Sequence, residues 1–221
     1  MRRFLQQGYR WRILDDSNAI HRGHIFCGPN FIRGANCPNC KKPLLLFALF
    51  DTTDAVFKDK SFLPRSLPLL FCWTCIYAQD TSYYRIRGST EIELLYCLQG
   101  KKEASFPYKD YPVFFPRGII MLEQIDSREQ EEISQINIGI LADGDAQFIP
   151  ETPAHRLGGE LYYIQAPRDK ICLLCGSEMS MLATVGNTAL GGARFTRDDF
   201  TLVHFLVCEN DWVIASHQEC T

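Results

Sequence analysis

The chain has 221 residues, 46% of them hydrophobic, enough to bury a sizeable core as one large or two small domains. Its net charge of −3 and pI near 6.0 exclude a global electrostatic pull toward nucleic acid. No apolar stretch reaches the length of a membrane span, and Met1-Arg2-Arg3-Phe4-Leu5-Gln6-Gln7 lacks the apolar run and small-residue cleavage site of a secretory leader. Ten cysteines, six of them in C-x2-C pairs, fit metal sites in a reducing compartment better than a disulfide framework, so a cytoplasmic location is expected.

The basic and mixed residues 1–20 carry Tyr9, Trp11, Ile13 and Leu14 at strand spacing, and Gly28-Pro29-Asn30 has turn chemistry. Cys37-Pro38-Asn39-Cys40 follows, with the spacing of a metal knuckle. The apolar run Leu44–Phe50 is then expected to form a buried strand, residues 51–66 a loop, and Leu67–Phe71 a second strand that delivers Cys72-Trp73-Thr74-Cys75. Thirty-one residues separate the two pairs. Knuckle, strand, loop, strand, knuckle is the layout of a zinc ribbon, in which two thiolate pairs close a tetrahedral site. Thr81–Arg87 and Glu91–Gln99 read as further strands around Gly88-Ser89-Thr90.

Between about 100 and 150 the composition shifts. Prolines 107, 112 and 116 break an aromatic stretch, Gly118–Gln124 reads as a strand, and Asp126–Gln135 as a helix of at most ten residues with acids in its first turn. Residues 123–151 hold eight acids against Arg128, whereas residues 1–43 hold eight Lys/Arg against Asp15 and Asp16. Two solvated faces that balance each other are the simplest reading of these runs.

From 155 the first half recurs. Cys172-Leu173-Leu174-Cys175 is followed after thirty-two residues by Cys208; Met181–Val185 lies 135 positions beyond Leu46–Phe50, and Phe205–Cys208 lies 136 beyond Leu69–Cys72. Gly159–Tyr163 precedes its knuckle much as Gly23–Cys27 precedes the first. An internal duplication is expected. The fold class that follows is mainly β (α+β): two pseudo-repeated β-rich halves, residues 1–100 and 155–221, each with a zinc-ribbon-like site, joined by an acidic segment 101–154 containing a short helix. The metal ligands expected are Cys37, Cys40, Cys72 and Cys75 for one zinc, and Cys172, Cys175 and Cys208 for a second. Asp211 occupies the place of Cys75 in the second half; Cys220, then His217, are preferred over it because structural zinc favours Cys and His.

His155-Arg156-Leu157-Gly158-Gly159-Glu160-Leu161-Tyr162-Tyr163-Ile164-Gln165 is similar to the H-x-L-G-G-x-P-x-W-I-Q segment of the bacterial YwqG-like domain family, with Leu161 for its proline and Tyr163 for its tryptophan. Cys37–Leu46, and Cys172/Cys175 followed by Met179–Leu182, resemble both that family and its eukaryotic relative, the programmed-cell-death-two family. The resemblance covers about residues 20–80 and 155–220. It implies a duplicated β-rich fold and a non-enzymatic role holding one protein: a cognate toxin for bacterial members, a ribosomal client for the eukaryotic ones.

Other chemistry fits less well. A zinc deaminase needs H-x-E ahead of P-C-x-x-C, whereas His217-Gln218-Glu219 comes after the pairs and Ile171 stands where proline is wanted. Gly186–Gly192 lacks the G-K-S/T of a phosphate loop and reads as a loop tip. His21 and His24 read as surface histidines, and Cys27 and Cys97 as buried small apolar residues. Arg2, Arg3, Arg10 and Arg12 with Tyr9 and Trp11 make a small nucleic-acid-like patch that the acidic segment offsets. The function expected is neutralisation of a cognate protein toxin, with the acidic segment facing a basic surface. A client-specific chaperone is the alternative; a zinc enzyme or a nucleic-acid binder follows behind.

Overall fold

The computed structural model describes residues 2–15, 23–60, 63–72, 81–96, 112–143, 155–164, 170–195 and 201–220. Eleven strands form one curled antiparallel sheet: β1 (Tyr9–Asp15), β2 (His24–Phe26), β3 (Leu45–Asp51), β4 (Ser66–Phe71), β5 (Thr81–Gly88), β6 (Glu91–Tyr96), β7 (Gly118–Gln124), β8 (Arg156–Leu157), β9 (Ser180–Val185), β10 (Thr201–Cys208) and β11 (Val213–Cys220). Their spatial order is β4-β3-β2-β7-β1-β8-β9-β10-β11-β5-β6. The fold is mainly β, as the sequence implies. The sheet runs through both halves and the segment between them, because β7 pairs with β2, β1 with β8, and β5 with β11.

The apolar strands read continuously because they are buried on both faces. On β10, Val203, Phe205 and Val207 enter the main core with Phe47 and Phe195, while Leu206 and Cys208 face a smaller core with Met181, Val213 and Ala215. Strand β4 lies at the sheet edge, where Pro68 is tolerated. The buried Tyr84 hydroxyl covers that edge, donating to Pro68 O at 2.8 Å and accepting from Leu70 N at 3.1 Å.

Helix α1 (Ser127–Asp143) is longer than the ten residues expected. Asp126 caps it, its Oδ1 accepting from Glu129 N at 2.8 Å. Tertiary anchors carry it onward: Ile133 is buried, and buried Asn137 donates to Leu161 O at 2.8 Å. Acids of the helix and of β7 before it are paired with arginines. Glu129 accepts from Arg10 and from buried Arg156, and Glu123 lies 3.5 Å from Arg12. The basic amino-terminal stretch and the acidic segment thus meet across β1 and β7, as balancing charges. Arg3 likewise pairs with Glu160, and Trp11 is buried, which dismantles the small basic-aromatic patch.

The registers of the two halves match in detail. Leu46 faces Leu70 and Ala48 faces Leu69, leaving Phe47 as the bulged residue; Met181 faces Leu206 and Ala183 faces Phe205, leaving Leu182 in the same role. Leu49 pairs with Ile25 as Thr184 pairs with Arg156. This aligns His155–Gly159 with His24–Gly28, five residues away from the sequence-based pairing of Gly159–Tyr163 with Gly23–Cys27. Both buried histidines then do the same work. His24 Nδ1 accepts from Asp51 N at 3.0 Å and His155 Nδ1 from Gly186 N at 3.1 Å, each capping the end of its strand. His24 is therefore a core residue, contrary to the surface position expected; His21 lies outside the described residues.

Candidate metal centres

Each knuckle is built by the same two backbone bonds. Lys41 N donates to Cys37 O and Cys37 N to Lys42 O, both at 2.9 Å; Gly176 N donates to Cys172 O at 3.0 Å and Cys172 N to Ser177 O at 2.9 Å. The residue after the second cysteine turns into the left-handed region in both, Lys41 at φ 63° and Gly176 at φ 71°. Flanking bridges Asn36–Pro43 and Ile171–Glu178 close each hairpin. The third thiol arrives from the end of the second strand, Cys72 after β4 and Cys208 at the end of β10.

At the first centre the ligand atoms of Cys37, Cys40 and Cys72 lie within 4.8 Å of one another. Cys37 and Cys72 are buried, Cys40 is half-buried, and the Cys40 and Cys72 sulfurs are 3.8 Å apart. Cys75, the expected fourth ligand, lies outside the described residues, as does Cys97. At the second centre the ligand atoms of Cys172, Cys175, Cys208 and Asp211 converge within 4.8 Å. Cys175 Sγ is 3.5 Å from Cys208 Sγ, and Cys172 Sγ is 3.8 Å from Asp211 Oδ2.

The sequence-based preference for Cys220 and His217 over Asp211 is reversed by strand register. Cys208 faces Val213 across the β10–β11 hairpin, whereas Cys220 faces Thr201 at its other end. Seven residues of strand separate the two positions, about 23 Å, far beyond the reach of a cysteine side chain. His217 faces His204, about 13 Å along the hairpin from Cys208. It joins a separate buried cluster in which His204 Nε2 lies 3.0 Å and His217 Nε2 3.7 Å from the Glu219 carboxylate, with Tyr163 stacked on His204. The His217-Gln218-Glu219 motif thus stands apart from the thiols. The equivalence of Asp211 with Cys75, visible in the 136-residue offset, was the signal that located the fourth group.

Both sets fit a soft divalent ion. Hydrogen bonding to Cys37 and Cys40, together with burial, pushes the Cys72 thiol up; burial pushes Cys208 up to about 12 although its sulfur accepts from Asp211 and Asn210 backbone N–H. Exposed Cys175 is lowered, chiefly by hydrogen bonds from Ser177. Crowded thiols that resist ionisation beside one another are the condition a cation relieves, because the thiolate is the ligand. N–H donors already aimed at sulfur stabilise that thiolate.

The motif that carries the family resemblance is architectural. Gly158 and Gly159 both sit at φ 64°, and a Cβ on Gly159 would stand 2.5 Å from Gly8 Cα. His155 Nε2 donates to Thr188 O at 2.8 Å, and burial lowers its pKa to about 4. Buried Cys27, at φ 51°, takes the place equivalent to Gly158. No family model, curated protein or solved structure matches the chain. No helix among the described residues is long and apolar enough to cross a membrane.

Proposed function

We propose that this is a non-enzymatic, zinc-stabilised protein that binds and neutralises one protein partner, a cognate toxin, in the cytoplasm. Zinc is the ion favoured by sets of three thiolates with a fourth Cys or carboxylate. Cys37, Cys40 and Cys72 would hold one ion, with Cys75 as the fourth ligand expected from sequence. Cys172, Cys175, Cys208 and Asp211 would hold the other. Each ion ties a knuckle to the end of a strand, which is a folding role.

The observation that carries the partner-binding reading is a contrast between equivalent positions. Asn36, Pro38 and Asn39 of the first knuckle correspond to Ile171, Leu173 and Leu174 of the second, which are 49%, 52% and 46% exposed. An apolar cluster exposed on a rigid, metal-clamped turn is the character of a docking surface. The acidic segment, neutralised in part by Arg10, Arg12 and Arg156, is a weaker place for the contact. We also infer that the chain arose by internal duplication, a reading supported by the matched bulges, knuckles and histidine caps.

Co-expression with the toxic product of an adjacent gene tests the function. Growth should be rescued by the wild-type chain and not by Leu173→Asp/Leu174→Asp, which should fold and load metal normally. Absence of binding to any adjacent product would sink the proposal. A growth defect on deletion in cells lacking a toxin, with capture of a nascent basic protein, would move the assignment to a client-specific chaperone.

A further inference from the structure

The two centres differ in the exposure of the second thiol of each knuckle, half-buried at Cys40 and exposed at Cys175. The second draws its fourth donor from Asp211, a half-buried carboxylate, and one of its thiols, Cys175, is exposed. A carboxylate oxygen is a harder and more weakly held donor for a thiophilic ion than a thiolate sulfur. Asp211 also has an alternative partner. Its Oδ1 lies 3.8 Å from Arg85 Nη2 on β5, while Arg85 Nε donates to Asp211 O at 3.1 Å. The carboxylate therefore stands between the thiols, on its Oδ2 side, and a guanidinium on its Oδ1 side.

The three thiols have no such choice. Cys172 is fixed by both knuckle bonds, Cys175 receives Ser177 and lies 3.9 Å from Asn210 Nδ2, and Cys208 receives two backbone N–H groups. When Asp211 leaves the ion, Arg85 can take its charge and the thiolate tripod stays assembled. Water then reaches the vacated position past exposed Cys175.

From this geometry we infer that the second centre is a metal-exchange site, in which Asp211 is the ligand that opens and Arg85 the group that receives it. The inference rests on the reading of both clusters as metal centres. Its ligand class is a d10 or related thiophilic divalent ion, exchanged with small chelators and metal acceptors. The first centre, where half-buried Cys40 stands in the place of exposed Cys175, is the retained one.

Metal release from the full-length, zinc-loaded chain into a chromogenic chelator tests it. Two phases are expected, one equivalent each, with the faster about 10–100-fold ahead of the slower, the range by which groups around an ion alter its hold. Asp211→Cys should slow the fast phase toward the slow one, and Asp211→Ala should accelerate it while leaving the slow phase unchanged. Cobalt-loaded Asp211→Cys should gain sulfur-to-metal charge-transfer absorption relative to wild type, a readout independent of release. A single phase of two equivalents, or a fast phase and cobalt spectrum indifferent to Asp211, would overturn the exchange inference while leaving the metal centres standing. A purified chain that neither contains nor takes up zinc or cobalt would overturn the metal reading itself.

Discussion

The two knuckles share one backbone and differ in almost everything attached to it. Around the first, Asn36, Pro38, Asn39 and Lys41 are polar or turn-forming and Cys40 is half-buried; around the second, Ile171, Leu173 and Leu174 are exposed, Cys175 is exposed, and the carboxylate of Asp211 joins the thiols. The difference teaches that one scaffold can separate stability from display. Hydrogen bonds between backbone groups fix the shape of a knuckle whatever its side chains, so the side chains of the two knuckles are free to differ.

The largest effect that would sharpen this contrast lies in the thiols. Cys72→Ser, at a buried position in the first centre, should destabilise by more than about 4 kcal/mol, because a structural zinc site contributes folding free energy outright. Cys175→Ser, at the exposed position, should cost distinctly less. Thermal denaturation with metal quantitation checks both, and equal losses would break the comparison.

Next come the equivalent left-handed positions. Gly158→Ala should cost roughly 2–4 kcal/mol, since its Cβ would stand 2.6 Å from Leu5 Cβ and 2.8 Å from Gln7 O. Gly176→Asn should cost about 1 kcal/mol or less, because no atom lies within 4 Å of its Cβ position and Lys41 adopts the matching turn in the other knuckle. Chemical denaturation midpoints at constant slope would show it.

The histidine caps separate by pH. Burial holds His155 at about 4, below its ordinary 6.5. The unfolded imidazole therefore takes a proton between those values that the folded one refuses, so stability rises with pH from 4 to 6.5 and is lost as pH falls. Fully expressed, that linkage is worth roughly 3 kcal/mol. For His24, Asp54 and Asp51 oppose the lowering caused by burial. His155→Gln should flatten the acid limb of the stability profile more than His24→Gln does; the reverse ranking would show that Asp54 and Asp51 do not offset burial at His24.

The smallest effect is expected at the display surface. Leu173→Asp/Leu174→Asp should change stability by within about 0.5 kcal/mol, as exposed substitutions do. A large loss in the melting temperature would mean that these leucines support the fold and are not a surface held in reserve.

Much of this was legible beforehand. The runs Leu44–Phe50 and Leu67–Phe71 became β3 and β4, and the 135 and 136 offsets matched the strand registers. Local patterning sufficed there because an apolar run flanked by a knuckle has few other ways to be buried. Helix α1 outruns the ten residues expected because the contact of Asn137 with Leu161 O that extends it is remote in sequence, whereas Gly139 and the β-branched isoleucines weaken its intrinsic propensity. The fourth group of the second centre is hidden from the sequence for a related reason. Ligand preference favoured Cys220, but preference has no reach, and the hairpin register carries that residue to its far end.

The sequence alone determined the β-rich class and the two cysteine clusters, because spacing and hydrophobic period are local properties that survive without coordinates. Only the tertiary structure decided that β1, β7 and β11 bind the halves into one sheet, that His24 and His155 are matching caps, and that Asp211 joins three thiols. These outcomes depend on which strands pair and in what register, and a one-residue shift in register moves every side chain to the opposite face.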